Sequence, residues 1–191
     1  MEVELPAPTV VDDHRKVFVP SHRRTMIKKF WVQIYKPLVE KLKLMVRYNT
    51  ITNHVEFKTS NETVEPLAMQ KAEDFVKAFC LGFDAQDALA LIRLDNIFIE
   101  SFNVLDVKRL KGEHLSRAIG RIAGSRGKMR YTLENASRTR IVIADSQIHI
   151  LGSYDSIQVA RRTISDLILG AGPSKTIGRM HKITSKLNSK F

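Results

Sequence analysis

The tetrapeptide Gly124-Ser125-Arg126-Gly127 limits what the second half of this chain can fold into. Before it, Leu115, Ala118, Ile119 and Ile122 recur with helical spacing over residues 113 to 123, and Gly124 stops that helix. After it, residues 128 to 138 read as a second helix with Leu133 facing inward. Two β-prone runs follow, 140 to 144 and 147 to 151, around the turn-forming Asp145-Ser146. Ile157, Ala160, Ile164, Leu167 and Ile168 then mark a closing amphipathic helix, and Gly170 sits where a left-handed cap belongs. With the run Ile97–Val104 in front, the order is strand, helix, glycine loop, helix, strand, strand, helix. Glycines at both ends of such a loop let a phosphate approach backbone that a β-carbon would shield, and helix amides beyond Gly127 can donate to the anion.

The first half shows the same order more faintly. Residues 1 to 15 lack periodicity and read as a flexible arm. Val17-Phe18-Val19 is β-prone up to Pro20, Ser21 suits a helix cap, and the helix through Phe30, Trp31 and Ile34 should kink or restart at Pro37. Residues 44–48 and 55–59 form a hairpin pattern, and a helical pattern runs from Leu67 to Phe83. Asp84 is placed to cap a further helix carrying Leu89, Leu91 and Ile92. The expected fold class is α+β, with units at 16–95 and 96–172 that share an architecture by internal duplication. A basic tail follows over 173–191. In that tail Ile177, Met180, Ile183 and Leu187 share one helix face, which either packs back on the domain or docks a partner.

Charge separates the halves. Residues 108–191 hold 17 Lys and Arg against 5 Asp and Glu, while residues 1–107 hold 14 against 15. A polyanion is the expected partner of the basic half, and nucleic acid ranks before membrane because the basic segments carry no apolar wedges. No apolar run approaches the roughly eighteen residues of a membrane span, and the opening residues do not resemble a secretory leader, so residence inside the cell is expected. The single Cys80 cannot form an internal disulfide and reads as a small core residue.

Enzyme readings fare poorly. A phosphate-binding P-loop ending at Lys128 needs Gly at 122 and Ser or Thr at 129, where Ile122 and Met129 stand. Six scattered histidines and one cysteine give no zinc spacing. The acids of the basic half, Glu113, Glu134, Asp145, Asp155 and Asp166, fall in separate elements and do not form a nuclease metal set. No cofactor, metal or catalytic residue is expected.

The segment order, with the run Ile122-Ala123-Gly124-Ser125-Arg126-Gly127-Lys128 and Arg140-Ile141-Val142-Ile143 after it, resembles a eukaryotic-type (type I) KH domain. That resemblance implies a clamp on about four single-stranded nucleotides. The RNA contacts would come from Gly124, Ser125, Arg126, Gly127 and Lys128, with Arg130 beside the loop and Arg117 and Arg121 on the preceding helix. Arg138 and Arg140 would lead into a groove floored by Ile141 and Ile143. Arg130 stands where KH sequences usually place an apolar residue, so either the second helix is rotated or the groove is more polar.

Across residues 16–191 the chain is also similar to the partner-of-Nob-one family of small-subunit assembly factors. The similarity is carried by Val19-Pro20-Ser21-His22-Arg23, Ile34-Tyr35-Lys36-Pro37-Leu38-Val39-Glu40, the run from Gly112 to Gly124, and Ile148-His149-Ile150-Leu151-Gly152. This implies two tandem KH-like domains, the first divergent and without GxxG. It also implies binding at the 3′ region of the small-subunit rRNA precursor, partnership with an endonuclease of the Nob family in the pre-40S particle, and residence in nucleus, nucleolus and cytoplasm. On charge alone, the near-neutral first unit is better suited to protein contact and bracing, and Trp31 with Phe30 reads as an interface anchor before a base-stacking platform. Other KH proteins, including messenger RNA regulators, and a pure interaction scaffold are the alternatives.

Overall fold

The computed structural model describes residues 14–63 and 65–188. The chain divides into two compact units between Arg93 and Leu94, two residues before the boundary drawn from the sequence.

The first unit opens with strand β1 (His14–Phe18), a 3-10 turn at Ser21–Arg23, and helices α1 (Arg24–Lys29) and α2 (Trp31–Glu40). Strands β2 (Met45–Asn49) and β3 (His54–Lys58) follow, then helices α3 (Ala68–Leu81), α4 (Ala85–Ala88) and α5 (Ala90–Arg93). The sheet order is β1-β3-β2, antiparallel throughout, so the last strand lies in the middle. Strand alternation sends Val17, Val55 and Phe57 toward the helices, where α3 buries Ala72, Phe75, Val76 and Phe79. The hairpin turns through Asn49, whose Oδ1 accepts from the N–H groups of Ile51 (3.1 Å) and Thr52 (3.2 Å).

Three expectations for this unit need correcting. His14 and Arg15, assigned to the arm, are paired in β1 opposite Lys58 and Phe57; the rest of that arm lies outside the described residues. Pro37 sits inside α2, because its fixed φ is helical and the chain tolerates one missing N–H as far as Glu40. The deviation falls instead at Phe30 (φ −102°, ψ 19°), and even there Phe30 N–H reaches Met26 O at 2.9 Å and Ile34 N–H reaches Phe30 O at 3.2 Å. Helices α1 and α2 therefore meet through one residue with no loop between them. The helix expected after Asp84 is the pair of short segments α4 and α5.

The second unit repeats the plan with strand β4 (Ile97–Asn103), helices α6 (Val104–Val107), α7 (Glu113–Ala123) and α8 (Lys128–Ser137), and strands β5 (Arg140–Ala144) and β6 (Gln147–Ser153). Helices α9 (Tyr154–Leu169) and α10 (Pro173–Asn188) complete it. Its sheet order is β4-β6-β5, again antiparallel with the last strand central. Val104 opens α6 and does not extend the strand: Asn103 Oδ1 accepts from Leu105 N–H (2.9 Å), while Asp106 accepts from Asn103 N–H (3.3 Å).

Ile122, Leu133, Ile141, Ile148, Ile150, Ile164 and Leu167 form a core with almost no exposure. Helix α10 returns onto α8 and α9, burying Thr176 and Met180, so the apolar face of the tail packs on its own domain. The side chain of Leu187 and the whole of Lys190 lie outside the described residues. Among the described residues, no helix is long and apolar enough to cross a membrane.

Candidate nucleic-acid interface

The loop after α7 is built from three left-handed residues. Gly124 lies at φ 72°, ψ 175°, Arg126 at φ 54°, ψ 30°, and Gly127 at φ 76°, ψ 7°. Its two glycines do different work. A β-carbon on Gly124 would lie 2.5 Å from Met129 Cβ and 2.7 Å from Met129 N, so α8 packs against this backbone from inside the domain. A β-carbon on Gly127 would meet nothing within 4 Å, so this position faces open space. The expectation that both glycines serve phosphate approach therefore holds sterically for Gly127 alone, since Gly124 is fixed by helix packing.

Gly127 is also the N-cap of α8 and offers no side chain to satisfy that helix's first amides. The Lys128 N–H closes the loop onto Ser125 O, and the Gly127 N–H reaches Gly124 O at 3.3 Å. Ser125, Arg126, Lys128 and Arg130 are exposed around this helix start, where the partial positive charge of the helix end and the side-chain cations act together. Met129 and Leu133, not Arg130, face the core of α8. Arg130 is thus the outward neighbour of a buried methionine, and its cation stays in solvent.

The remaining predicted residues are more dispersed. Arg117 lies on exposed α7, with Nη2 2.8 Å from Glu113 Oε2, a surface pair worth less than about 1 kcal/mol and easily exchanged for a phosphate. Arg121 turns toward the end of α9, where Nη1 donates to Leu167 O at 3.4 Å beside the left-handed Gly170. That places it in a helix-capping position. Arg138, at φ 55° beyond the end of α8, is about 15 Å along the helix from Lys128. Arg140 leaves β5 on the face opposite Ile141, which is buried in the core. The loop, Lys128 and Arg130 therefore form one group; Arg138 and Arg140 mark the far end of α8 and the sheet's other face. Of the expected floor, Ile141 is buried and Ile143 is half-buried at its edge.

One functional residue escaped the sequence reading. Glu134, buried on α8, accepts the Ile141 N–H at 2.8 Å and so ties the helix to β5. Ser137 donates to Leu133 O (2.6 Å) and contacts Thr139 Oγ1 (2.7 Å), completing a buried polar turn. Thr139 packs so tightly over Gly152 that a β-carbon there would lie 2.8 Å from Thr139 Cγ2. A lone acid beside Leu133 in a basic segment was the available signal. On the central strand, His149 is buried with Nδ1 2.7 Å from Ser101 Oγ, and burial pushes its pKa below the ordinary histidine value. Among the described residues, no cluster of three His, Cys, Asp or Glu side chains could hold a metal.

Comparison with known proteins fits this geometry. Residues 101–185 match a family described as a eukaryotic-type KH domain (KH-domain type I), the second such domain of PNO1, and residues 14–93 match the Krr1 KH1 domain. The RNA-binding protein PNO1 of Oryzias latipes is 55% identical over 94% of this chain and 74% of its own length. The chain belongs to the PNO1 family. A second member, the pre-rRNA-processing protein PNO1 of Phaeosphaeria nodorum, is 55% identical over 94% of this chain and 68% of its own length. The fold recurs in a Pyrococcus horikoshii protein solved as an a/eIF2alpha-aDim2p-rRNA complex, with TM-score 0.79 and 24% identity over 93% of this chain and 97% of that one. The fold class is thus two KH-type domains in tandem, and the GxxG loop belongs to the second.

Proposed function

We propose that this protein is a non-catalytic RNA clamp in small-subunit assembly. Its second unit holds single-stranded RNA from the 3′ region of the small-subunit rRNA precursor and presents it to a partner endonuclease of the Nob family in the pre-40S particle. The observation that carries the clamp is the open, side-chain-free face at Gly127, where uncapped α8 amides meet Arg126, Lys128 and Arg130. The names of relatives, RNA-binding and pre-rRNA-processing proteins, support the ribosomal substrate, as does a protein of the same fold solved in a complex that contains rRNA. Particles that leave the nucleolus would carry the protein between nucleus and cytoplasm.

The test is a salt series with single-stranded RNA from the precursor 3′ region, comparing the natural protein with a variant carrying Ser125→Asp and Arg126→Asp. Each phosphate contact on a single strand contributes about −0.7 to the slope of log affinity against log salt. The variant should fold, bind weakly, and show a slope shallower by about one contact or more. Equal binding by both proteins sinks the clamp. A reconstituted cleavage assay with the endonuclease then tests the partnership: acceleration that requires an intact loop is expected, and a rate indifferent to this protein excludes it.

A further inference from the structure

The near-neutral charge of the first unit is an average over two unlike parts. Residues 14–58, which span β1 to β3, hold eleven Lys and Arg against two Asp and Glu, while residues 59–93 hold three against six. The basic part also contains a cleft. Lys28 on α1, Trp31 at the start of α2, and Val46, Arg47 and Tyr48 on β2 line a space of about 420 Å³, within the roughly 300–1,000 Å³ of small-ligand sites. Strand β2 is the edge of its sheet, and the cleft lies where it meets the α1–α2 junction. In the second unit the corresponding place is occupied by the α7–α8 loop and edge strand β5. Phe30 alone joins α1 to α2, so no glycine loop separates these two helices.

What the first unit has in that place is an aromatic surface. The half-buried Trp31 ring lies 6.0 Å from Tyr48 at 40° and 6.0 Å from Tyr35 at 34°, and the Lys28 side chain is exposed beside it, while Arg47 alternates to the other face of β2 and pairs with Glu56. Among the described residues, the Tyr48 hydroxyl at the base of this surface is buried without a hydrogen-bond partner. We infer that this cleft is a second RNA contact, taking one unpaired nucleotide with its base stacked on Trp31 and its phosphate against Lys28. The inference rests on the RNA-binding reading above and departs from the expectation that this unit serves mainly protein contact. Exposed Val32 on α2 would suit a protein, but a cleft beside Lys28 in a strongly basic segment favours a polyanion.

The chain contains a single tryptophan, so its intrinsic emission reports this cleft directly. The full chain should be titrated with a short single-stranded RNA while Trp31 emission is recorded, with anisotropy of a labelled copy reporting total binding. Emission should be quenched, and quenching should persist at higher RNA concentration in the Ser125→Asp, Arg126→Asp variant. Lys28→Glu should weaken the quenching without changing the circular dichroism. Trp31→Ala should lower affinity between about fivefold and a hundredfold, with Trp31→Phe retaining packing and part of the affinity. RNA binding with unchanged emission, or full quenching in Lys28→Glu, overturns the inference and leaves the GxxG clamp standing. Emission that ignores RNA but shifts with a protein partner assigns the cleft to protein and also overturns it. No anisotropy change at all removes both readings together.

Discussion

Replacing Gly124 and Gly127 separately by alanine should give opposite phenotypes. At Gly124, a φ of 72° with ψ 175° belongs to a region that L side chains essentially avoid, at a cost of about 1–3 kcal/mol. The new β-carbon would also press within 2.7 Å of the Met129 backbone nitrogen, which cannot rotate away, and such overpacking adds about 1–3 kcal/mol. Gly124→Ala should therefore lose roughly 2–6 kcal/mol of second-unit stability. Gly127 lies in the ordinary left-handed region with open space around it, so Gly127→Ala should cost only about 1–2 kcal/mol. Its methyl, however, projects onto the face a phosphate would use. Trp31 belongs to the first unit, so the assay is hydrogen exchange of α8 and β5 peptides in the whole chain, alongside RNA anisotropy. The reasoning is refuted if Gly127→Ala accelerates exchange as much as Gly124→Ala, or if it binds RNA normally.

Three other outcomes are expected. Glu134→Ala should destabilise the α8–β5 corner by about 1–3 kcal/mol, because the Ile141 N–H is left buried and unpaired; urea unfolding that matches the natural protein would remove this role. His149 has a folded pKa below its unfolded value, so the unfolded chain binds more protons at mildly acidic pH. Stability should be unaffected by this group above about pH 6.5 and fall as pH drops through the folded pKa, and His149→Gln should flatten that limb of a melting-temperature profile. Burial pushes the Cys80 thiol up to about 11, so a thiol-specific reagent at neutral pH should label it only at the rate of local opening; immediate labelling of the native protein contradicts that burial.

The elements of the second unit were readable because glycines punctuate them. Helix α7 runs from Glu113 to Ala123 as its periodicity indicates, and Gly124 and Gly170 stop helices by adopting conformations other residues avoid. Sheet order was not readable, since alternation tells which face a strand buries but not which neighbour it takes. The roles of the arginines were equally hidden. Arg121 and Arg117 lie one turn apart, yet one reaches a helix carbonyl and the other a surface carboxylate, a difference set by what α9 places nearby. Pro37 carried the stronger helix-breaking signal in α2, while the actual deviation at Phe30 follows from no local rule. Net charge misled by averaging: a finer division of the same sequence puts eleven of the fourteen Lys and Arg of residues 14–93 within residues 14–58.

The position of the last strand at the centre of each sheet sets an order of events during synthesis. Helices α7 and α8 are neighbours in the chain and can associate as soon as both have left the ribosome. The floor beneath them cannot form so early, because β4 and β5 do not pair with each other and both wait for β6, which joins Ile97 to Ser153 across the unit. Until then two strand edges stay exposed and the GxxG loop has no sheet beneath it. Pairing of α7 with α8 can thus run ahead of the sheet, but the second unit closes only once β6 has been made.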